Sequence, residues 1–215
     1  MKYTIIPVTP LAQNCSILVC DETQQDVVVD PGGDIERILG VVKKAGLTIE
    51  KVLLTHGHLD HAAAAGELAQ QLGVKIEGPH EDDLYMIQML PQQTISYGFP
   101  PAEAFVPDRW LHQGDTVTFG KQTLEVLHCP GHTPGHVVYF HRPGKFAVVG
   151  DVLFAGSIGR TDLPRGDHAA LIHSIRDKLF PLGDDVEFIP GHGPNSTFGQ
   201  ERKTNPYVAD GLFSP

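Results

Sequence analysis

Short apolar runs rich in valine and isoleucine alternate with glycine, proline and aspartate turns through the first half of the chain. Runs of this length, bounded by turn residues, predict β-strands. An alanine-rich stretch that ends at Gly73 and a segment between Asp34 and Gly46 carry the start and stop signals of helices. The elements predicted here are strands at 3–7, 15–20, 26–30, 52–55 and 75–77 and helices at 34–45, 62–72 and 81–90.

The second half is dominated by apolar runs that glycine and proline turns separate, which predicts mainly β structure. The segment 80–108 is less regular and contains several prolines, so we expect a long connection that either lines a cleft or lies passively on the surface. The succession of strands and helices predicts an α+β fold in which two sheets pack on each other with helices outside. The elements predicted in this half are strands at 110–112, 116–119, 123–128, 137–141, 146–149 and 186–189 and a helix at 168–179.

Length and charge narrow the class of protein. A chain of 215 residues is long enough for one domain with a substantial core, so residues 1–215 are predicted to form a single domain. A net charge of −10 disfavours nucleic acid and anionic membranes as partners. The odd number of cysteines, three, suits a reducing compartment. The N-terminus has no long apolar segment, and no apolar run approaches ~20 residues. Together these features predict a cytoplasmic protein.

Three histidines and an aspartate follow the strand that ends at Thr55, all within six positions. Gly57 lies between the first two histidines and lets the backbone bend, so that side chains can converge on one point. Imidazole and carboxylate groups together suit borderline divalent metals such as zinc, iron or manganese. A solvated histidine-rich loop is the alternative, but the spacing favours a metal site. The predicted ligands in this segment are His56, His58, Asp60 and His61.

Three further candidate ligands, His132, Asp151 and His192, each follow a predicted strand and lie in a glycine-bounded turn. Such a turn taken singly is more often only a turn, but three of them at strand ends, beside the first histidine cluster, favour a shared site. His128 and His136 flank a ligand and are expected to support the site rather than to bind metal. The remaining histidines are expected at the surface or in satisfied polar positions; they are His80, His112, His141, His168 and His173.

Four motifs of this chain occur together in one known family: Thr-His-x-His-x-Asp-His at 55–61, Pro-Gly-His-Thr-Pro-Gly at 130–135, Gly-Asp at 150–151 and Gly-His-Gly at 191–193. They resemble the metallo-β-lactamase fold superfamily, and the match covers nearly the whole chain. The flanking Asp30-Pro31-Gly32 and Asn205-Pro206-Tyr207 narrow the resemblance to glyoxalase II. The length and the segment 159–167 are similar to the short single-domain bacterial type II glyoxalases of the YcbL type.

The resemblance implies an αββα sandwich with a binuclear metal site at one edge of the two packed sheets. Two divalent ions are implied, with zinc expected and iron or manganese as alternatives. The implied ligands are His56, His58 and His132 for the first ion, Asp60, His61 and His192 for the second, and Asp151 as the bridge. Asp60 would also orient the nucleophile, so Asp60 and Asp151 are the expected catalytic residues. A bridging aspartate distinguishes this pattern from that of true β-lactamases.

Two departures from full-length glyoxalase II concern the glutathione pocket. Family members carry a lysine and a tyrosine that bind glutathione after the bridging aspartate, and this chain has Arg160 and Asp162 at those positions. Arg160 is expected to pair with a glutathione carboxylate, whereas an aspartate cannot replace a tyrosine. The chain is also expected to lack the C-terminal helical domain that supplies much of that pocket.

The sequence therefore predicts a metal-dependent hydrolase that cleaves a thioester such as S-D-lactoylglutathione, with a hydroxide generated at the metals as nucleophile. The expected partner is a small thioester, with glutathione as the carrier thiol. The main alternative is a mononuclear-iron dioxygenase acting on glutathione persulfide, whose iron is held by two histidines and one carboxylate. A hydrolase of another small thioester, ester or lactone and a metal-binding scaffold without turnover are further alternatives.

Overall fold

The first half of the chain forms a five-stranded sheet whose strands are hydrogen-bonded in sequence order. The strands are β1 (Lys2–Val8), β2 (Gln13–Val19), β3 (Gln25–Val29), β4 (Thr48–Leu53) and β5 (Lys75–Glu77). β1, β2 and β3 are antiparallel neighbours, whereas β3, β4 and β5 run parallel. Parallel neighbours need crossover connections, and helices provide them here. These helices are α1 (Ile35–Ala45), α2 (Leu59–Ala62) and α3 (Ala65–Leu72).

The second half forms a six-stranded sheet of order β13-β12-β9-β8-β7-β6 and a small hairpin. The sheet strands are β6 (Thr116–Phe119), β7 (Gln122–His128), β8 (Val137–His141), β9 (Phe146–Gly150), β12 (Glu187–Pro190) and β13 (Ser196–Thr197). The hairpin consists of β10 (Leu153–Phe154) and β11 (Ser157–Ile158). β12 runs parallel to β9, and the other neighbours are antiparallel.

In the computed structural model, which describes residues 1–213, side chains of the central strands alternate between two cores. In β8, Val138 and Phe140 pack towards the helices of the second half, whereas Val137 and Tyr139 pack towards the first sheet. This alternation follows from the two-residue period of a strand. Buried residues thus form one core between the sheets and one under the helices on each outer face, which confirms the predicted αββα sandwich. The last two residues of the predicted domain 1–215 lie outside the described part.

Two predicted helices have different limits in the structure. The helix predicted at 62–72 is divided into α2 and α3, because the N–H of Ala64 donates to the carbonyl of Pro31 at the break. The helix predicted at 168–179 begins as α5 (His168–His173), which Asp167 caps, and continues as a π-helical segment over Ser174–Leu179. A further short helix, α6 (Phe198–Thr204), follows β13 and was not predicted.

The segment 80–108 is more regular than predicted. A 3₁₀ turn at Glu81–Asp83 leads into α4 (Leu84–Tyr97), which continues through Pro91. The prediction ended this helix at residue 90 because a proline lacks the N–H that an internal position donates. Ile87 and Leu90 are buried in the core of the first half before the proline. Beyond it Thr94 is also buried, and its hydroxyl donates to the carbonyl of Leu90 at 2.9 Å, so tertiary packing continues past Pro91.

Two local predictions are wrong. Residues 110–112 are not a strand; only Arg109 forms a bridge, to Glu77, because the short strand β5 ends there. Asp34 precedes α1 but does not cap it with its side chain. Its carboxylate instead accepts a hydrogen bond from the N–H of Thr9 at 2.8 Å, which ties the start of α1 to the turn after β1.

No helix within residues 1–213 combines the length and the apolar character that a membrane crossing needs.

Candidate metal centre

All seven predicted ligands lie at the carboxyl ends of strands and meet at one edge of the sandwich. Four follow β4, and one each follows β7, β9 and β12. A strand that ends at the rim of a sheet delivers the next polar side chain to the rim, so separate segments converge there. The residues are His56, His58, Asp60 and His61 after β4, His132 after β7, Asp151 after β9 and His192 after β12.

Three imidazole nitrogens converge in one part of the centre. His58 Nδ1 lies 3.0 Å from His56 Nε2 and 2.9 Å from His132 Nε2. Ligands around a tetrahedral zinc ion at about 2.1 Å are about 3.4 Å apart, so these separations suit a shared ion. A neutral imidazole has one donor nitrogen and one acceptor nitrogen, and hydrogen bonding alone therefore gives no reason for three to meet.

A second group lies beside the first, and Asp151 stands between them. Asp60 Oδ2 is 3.1 Å from His192 Nε2 and 3.8 Å from His61 Nε2. Asp151 Oδ1 is 3.3 Å from His61 Nε2 in this group, whereas its Oδ2 is 3.5 Å from His132 Nε2 in the first. Asp151 Oδ2 also lies 3.8 Å from His192 Nε2, so this carboxylate stands between the two groups, where a bridging ligand would lie.

The outer nitrogen of each of three of these histidines lies closest to a group that can only accept a hydrogen bond. The pairs are His61 Nδ1 with Asp30 Oδ2 at 2.9 Å, His132 Nδ1 with the carbonyl oxygen of Arg160 at 2.8 Å, and His192 Nδ1 with the carbonyl oxygen of Leu11 at 3.2 Å. Each Nδ1 therefore carries a hydrogen, and Nε2 is the nitrogen that can bind a metal once it is deprotonated. Proteins orient metal-binding histidines in this way.

Two buried atoms at the middle of the centre test whether metal ions fit. Among residues 1–213, His61 Nε2 and Asp151 Oδ1 lack a partner in hydrogen-bonding geometry, although they lie 3.3 Å apart. A buried polar atom without a partner costs about 1–3 kcal/mol, and a cation at this point would be a partner for both atoms. Gly191 leaves the space open, because a Cβ there would lie 2.0 Å from Asp151 Oδ1 and 2.7 Å from His61 Cε1. The residues fit the implied divalent ions.

The charge state of the centre follows from burial and from neighbouring charges. Burial lowers the pKa of His56, and it lowers that of His58 to about 3, so both imidazoles are neutral donors. Burial also disfavours the charged form of His61, but the carboxylates of Asp151 and Asp60 outweigh it and raise the pKa of His61. For Asp151, burial acts to raise the pKa, but His61 outweighs it and lowers the pKa. A divalent cation binds ionised carboxylates and neutral imidazoles, so it would take the place of the proton that these carboxylates hold on His61.

Asp30 supports the centre from the end of β3, a role that the sequence reading did not assign. Besides facing His61, its carboxylate accepts from the N–H of Thr55 at 2.7 Å and from the Thr55 hydroxyl at 2.6 Å. The Thr55 oxygen lies 3.0 Å from His56 Nδ1. Asp30 therefore orients His61 directly and His56 through Thr55. The available signal was an aspartate at the end of a buried strand before Pro-Gly, the same pattern as the other ligands.

Asp83 is a second supporting residue that the sequence reading missed. It is fully buried, and it accepts hydrogen bonds from the N–H of Gly57 at 3.0 Å, the N–H of Gly135 at 2.6 Å and the hydroxyl of Thr133 at 2.8 Å. Gly57 belongs to the first ligand segment, and the other two donors follow His132. One carboxylate thus fixes two ligand loops from different sheets. No pattern in the sequence marks it, since it lies near the start of the helix predicted at 81–90, where an acidic residue is ordinary.

The two histidines that flank His132 behave differently. His136 is buried, its Nε2 accepts from the N–H of Asp151 at 3.0 Å, and its ring stacks on that of His56 at 4.6 Å. It supports the centre, as expected. His128 does not: its Nε2 lies 2.8 Å from the carbonyl of Pro134, and its ring stacks on His80 at 4.3 Å.

Arg160 contacts the centre through its backbone rather than its side chain. Its carbonyl faces His132, whereas its exposed guanidinium makes two hydrogen bonds of 2.7 Å to the carboxylate of Asp162. Arg160 and Asp162, the residues expected at the family's lysine and tyrosine positions, are therefore paired with each other.

Comparison with known proteins places this architecture in a family. A model of the Metallo-beta-lactamase superfamily matches residues 8–194. The hydroxyacylglutathione hydrolase GloC of Haemophilus influenzae is 47% identical over 97% of this chain and 98% of its own length. The crystal structure of BLEG-1 B3 metallo-beta-lactamase is 35% identical with a TM-score of 0.89, and the match covers 96% of this chain and 99% of the BLEG-1 chain. TTHA1623, solved in a di-iron-bound form, is 34% identical with a TM-score of 0.85, and the match covers 95% of this chain and 100% of the TTHA1623 chain. With its ligand motifs gathered at the strand ends of an αββα sandwich and the family model matched along most of its length, the chain belongs to the metallo-beta-lactamase superfamily.

Proposed function

We propose that this protein is a metal-dependent thioester hydrolase of the hydroxyacylglutathione hydrolase type. One observation carries the proposal: two groups of three donors lie side by side, and the carboxylate of Asp151 lies within 3.5 Å of a histidine nitrogen in each. The identity of 47% to GloC over nearly the whole chain supports the substrate class. We further propose that residues 1–215 act as one domain.

The proposed cofactors are two divalent metal ions, with zinc as the native metal. His56, His58 and His132 hold the first ion, Asp60, His61 and His192 hold the second, and Asp151 bridges them. Iron and manganese accept the same imidazole and carboxylate donors, and TTHA1623 binds two irons. Metal analysis of the purified protein distinguishes the three.

Bound divalent ions supply Lewis-acid polarisation of the thioester carbonyl and lower the pKa of a water molecule towards neutrality. The chain's own residues fix where this occurs. Asp151 holds the two donor groups together, and Asp60, which faces His192 at 3.1 Å, offers the carboxylate that orients the attacking water. Asp30 keeps His61 in the tautomer that presents a lone pair to the centre.

The proposed substrate is a small glutathione-linked thioester, for which Arg160 is the candidate carboxylate-binding residue. Its guanidinium is exposed, and the carbonyl of the same residue contacts His132. A substrate carboxylate would replace the Asp162 carboxylate as the partner of the guanidinium. The three cysteines are buried and free, which agrees with a protein of the reducing cytoplasm.

The decisive experiment measures hydrolysis of S-D-lactoylglutathione and metal content on the same sample of purified protein. We expect turnover with about two metal ions per chain. Asp151→Ala and His58→Ala should lower kcat by at least about 10³-fold, while His173→Ala, which changes an exposed histidine, should not. Near wild-type rates in both of the first two variants would contradict the proposal.

Other outcomes would move the function elsewhere in the superfamily. Two metals without thioester turnover, but with hydrolysis of a β-lactam, would agree with the relationship to BLEG-1 instead. One iron per chain together with oxygen uptake on glutathione persulfide would favour the mononuclear dioxygenase. A metal-loaded protein that is inactive on all three classes would favour a scaffold without turnover.

A further inference from the structure

Three histidines outside the candidate metal centre meet at the surface of the molecule. His80 follows β5 in the first half, whereas His112 precedes β6 and His128 ends β7 in the second. The ring of His80 lies 4.9 Å from that of His112 in an edge contact and stacks on that of His128 at 4.3 Å. The cluster shares no residue with the candidate metal centre, and the proposed function does not use it.

The carboxylate of Glu81 adds a third ligand type to this cluster, beside His112 and His80. Glu81 Oε2 lies 2.9 Å from His112 Nε2 and 3.8 Å from His80 Nε2. These three donor atoms all lie within 4.8 Å of one another. Donors of one tetrahedral ion are about 3.4 Å apart, so side-chain movements of up to about 1.4 Å would let these three share an ion, and the exposed Glu81 and His112 have room to move.

The other nitrogen of His80 faces a second carboxylate. His80 Nδ1 lies 3.3 Å from Asp82 Oδ2. The same nitrogen accepts a hydrogen bond from the N–H of Asp82 at 3.2 Å, which caps the 3₁₀ turn. In a metal-bound form the hydrogen would instead lie on Nδ1 and face the Asp82 carboxylate, so that Nε2 could bind the ion. A carboxylate behind a metal-binding histidine raises the basicity of the ligand.

We propose that His80, Glu81 and His112 form a further binding site for a divalent transition-metal ion such as zinc or nickel. Two imidazoles and one carboxylate are a donor set for such ions, and exposure leaves a fourth position for water. The acidic surroundings, with Asp82 and Asp115 next to the histidines, favour a cation.

This site would connect two parts of the fold. Glu81 lies in the 3₁₀ turn that ends at Asp83, the residue that fixes both ligand loops, and the N–H of His80 donates to the carbonyl of Gly135 at 3.0 Å. His112 belongs to the segment between the two sheets. An ion bound here links the two halves of the chain at the surface and stabilises the turn that carries Asp83.

The test is a titration of metal-depleted protein with nickel or zinc, which counts equivalents and measures the unfolding temperature. We expect His112→Ala to bind one equivalent fewer than the wild type, or to bind it at least about 100-fold more weakly, since even loss of an orienting partner costs 10–100-fold. His173→Ala is the matched control, because His173 is exposed and paired with one carboxylate, Asp177, without a third ligand. Asp151→Ala should lose metal from the centre and keep the surface equivalent.

Three results would overturn the inference. The first is an equal number of equivalents and equal affinities in the wild type and in His112→Ala. The second is loss of the equivalent in His128→Ala but not in His112→Ala, which would assign the ion to the neighbouring group of His80, Asp82 and His128. The third concerns two variants, Asp151→Ala alone and Asp151→Ala combined with His112→Ala. If added metal raises the unfolding temperature of both by the same amount, the inference fails.

Discussion

Asp30 Oδ2 lies 2.9 Å from Nδ1 of His61, and both side chains are buried. The contact sets which nitrogen of His61 faces the candidate metal centre, because a carboxylate can only accept a hydrogen bond. The same carboxylate accepts two hydrogen bonds from Thr55, whose side chain faces His56. One residue that touches no proposed ion therefore holds ligands of both groups.

Asp30→Ala should reduce metal binding without altering any proposed ligand. Loss of an orienting carboxylate behind a metal-binding histidine costs about 10–100-fold in metal affinity. Metal content after dialysis against a chelator measures the effect. The control is Asp26→Asn. Asp26 is another buried aspartate, in β3, and its carboxylate accepts a hydrogen bond from the N–H of Cys20 instead. Equal metal retention in both variants would refute the role given to Asp30.

Asp83→Ala should destabilise the fold and loosen both ligand loops together. It leaves three buried donors without an acceptor, each at a cost of about 1–3 kcal/mol, so the free energy of unfolding should fall by about 3 kcal/mol or more. Thr133→Val removes one of the three hydrogen bonds and should cost about 1 kcal/mol. Denaturant unfolding measures both; similar stabilities for the two variants would be inconsistent with a shared acceptor.

Asp83 should also make stability depend on pH. Burial raises its pKa to about 7, against hydrogen bonds that act to lower it, whereas an unfolded aspartate titrates near 3.9. Between pH of about 4 and 7 the folded state keeps a proton that the unfolded chain has lost, so this residue makes stability fall as pH rises, by up to about 1.4 kcal/mol per unit. The measurement is the unfolding free energy of metal-free wild type minus that of Asp83→Asn. This difference should decline from pH 4 to 7 and then level off; a flat difference would contradict it.

Gly191→Ala should close the space between the donor groups. The added methyl group would meet Asp151 Oδ1 at 2.0 Å, and Asp151 cannot move without leaving one of the two groups. We expect loss of metal binding and of the proposed activity. Gly40→Ala is the control, because a Cβ there meets nothing within 4 Å and alanine suits a helix better than glycine. Metal content of the two purified variants decides the prediction.

Arg160→Ala should raise KM about tenfold for a glutathione thioester and leave kcat nearly unchanged, as expected for loss of a charged hydrogen bond away from the reacting atoms. Arg142→Ala is a matched control, since Arg142 is also exposed and makes two hydrogen bonds to one carboxylate, that of Glu125. An unchanged KM in Arg160→Ala would remove this residue from the substrate site.

Much of the fold follows from local pattern. The strands of both sheets except β13 are predicted within a few residues, because short apolar runs bounded by turn residues have few other structures available. The seven proposed ligands are also visible in the sequence, since they lie in the segments that follow such runs. Predictions failed where packing outweighed local preference: α4 continues through Pro91, and residues 110–112 have no strand partner once β5 has ended.

The sequence by itself determined the αββα class, the family and the residues able to bind metal, because these depend on the order of elements and on residue chemistry. Tertiary structure decided how those residues are held. Asp30 and Asp83 act through hydrogen bonds to groups 25 to 52 positions away, and His128 leaves the centre to stack on His80. Such contacts depend on how two sheets are packed, and no local pattern along the chain records which distant donor a buried carboxylate will meet.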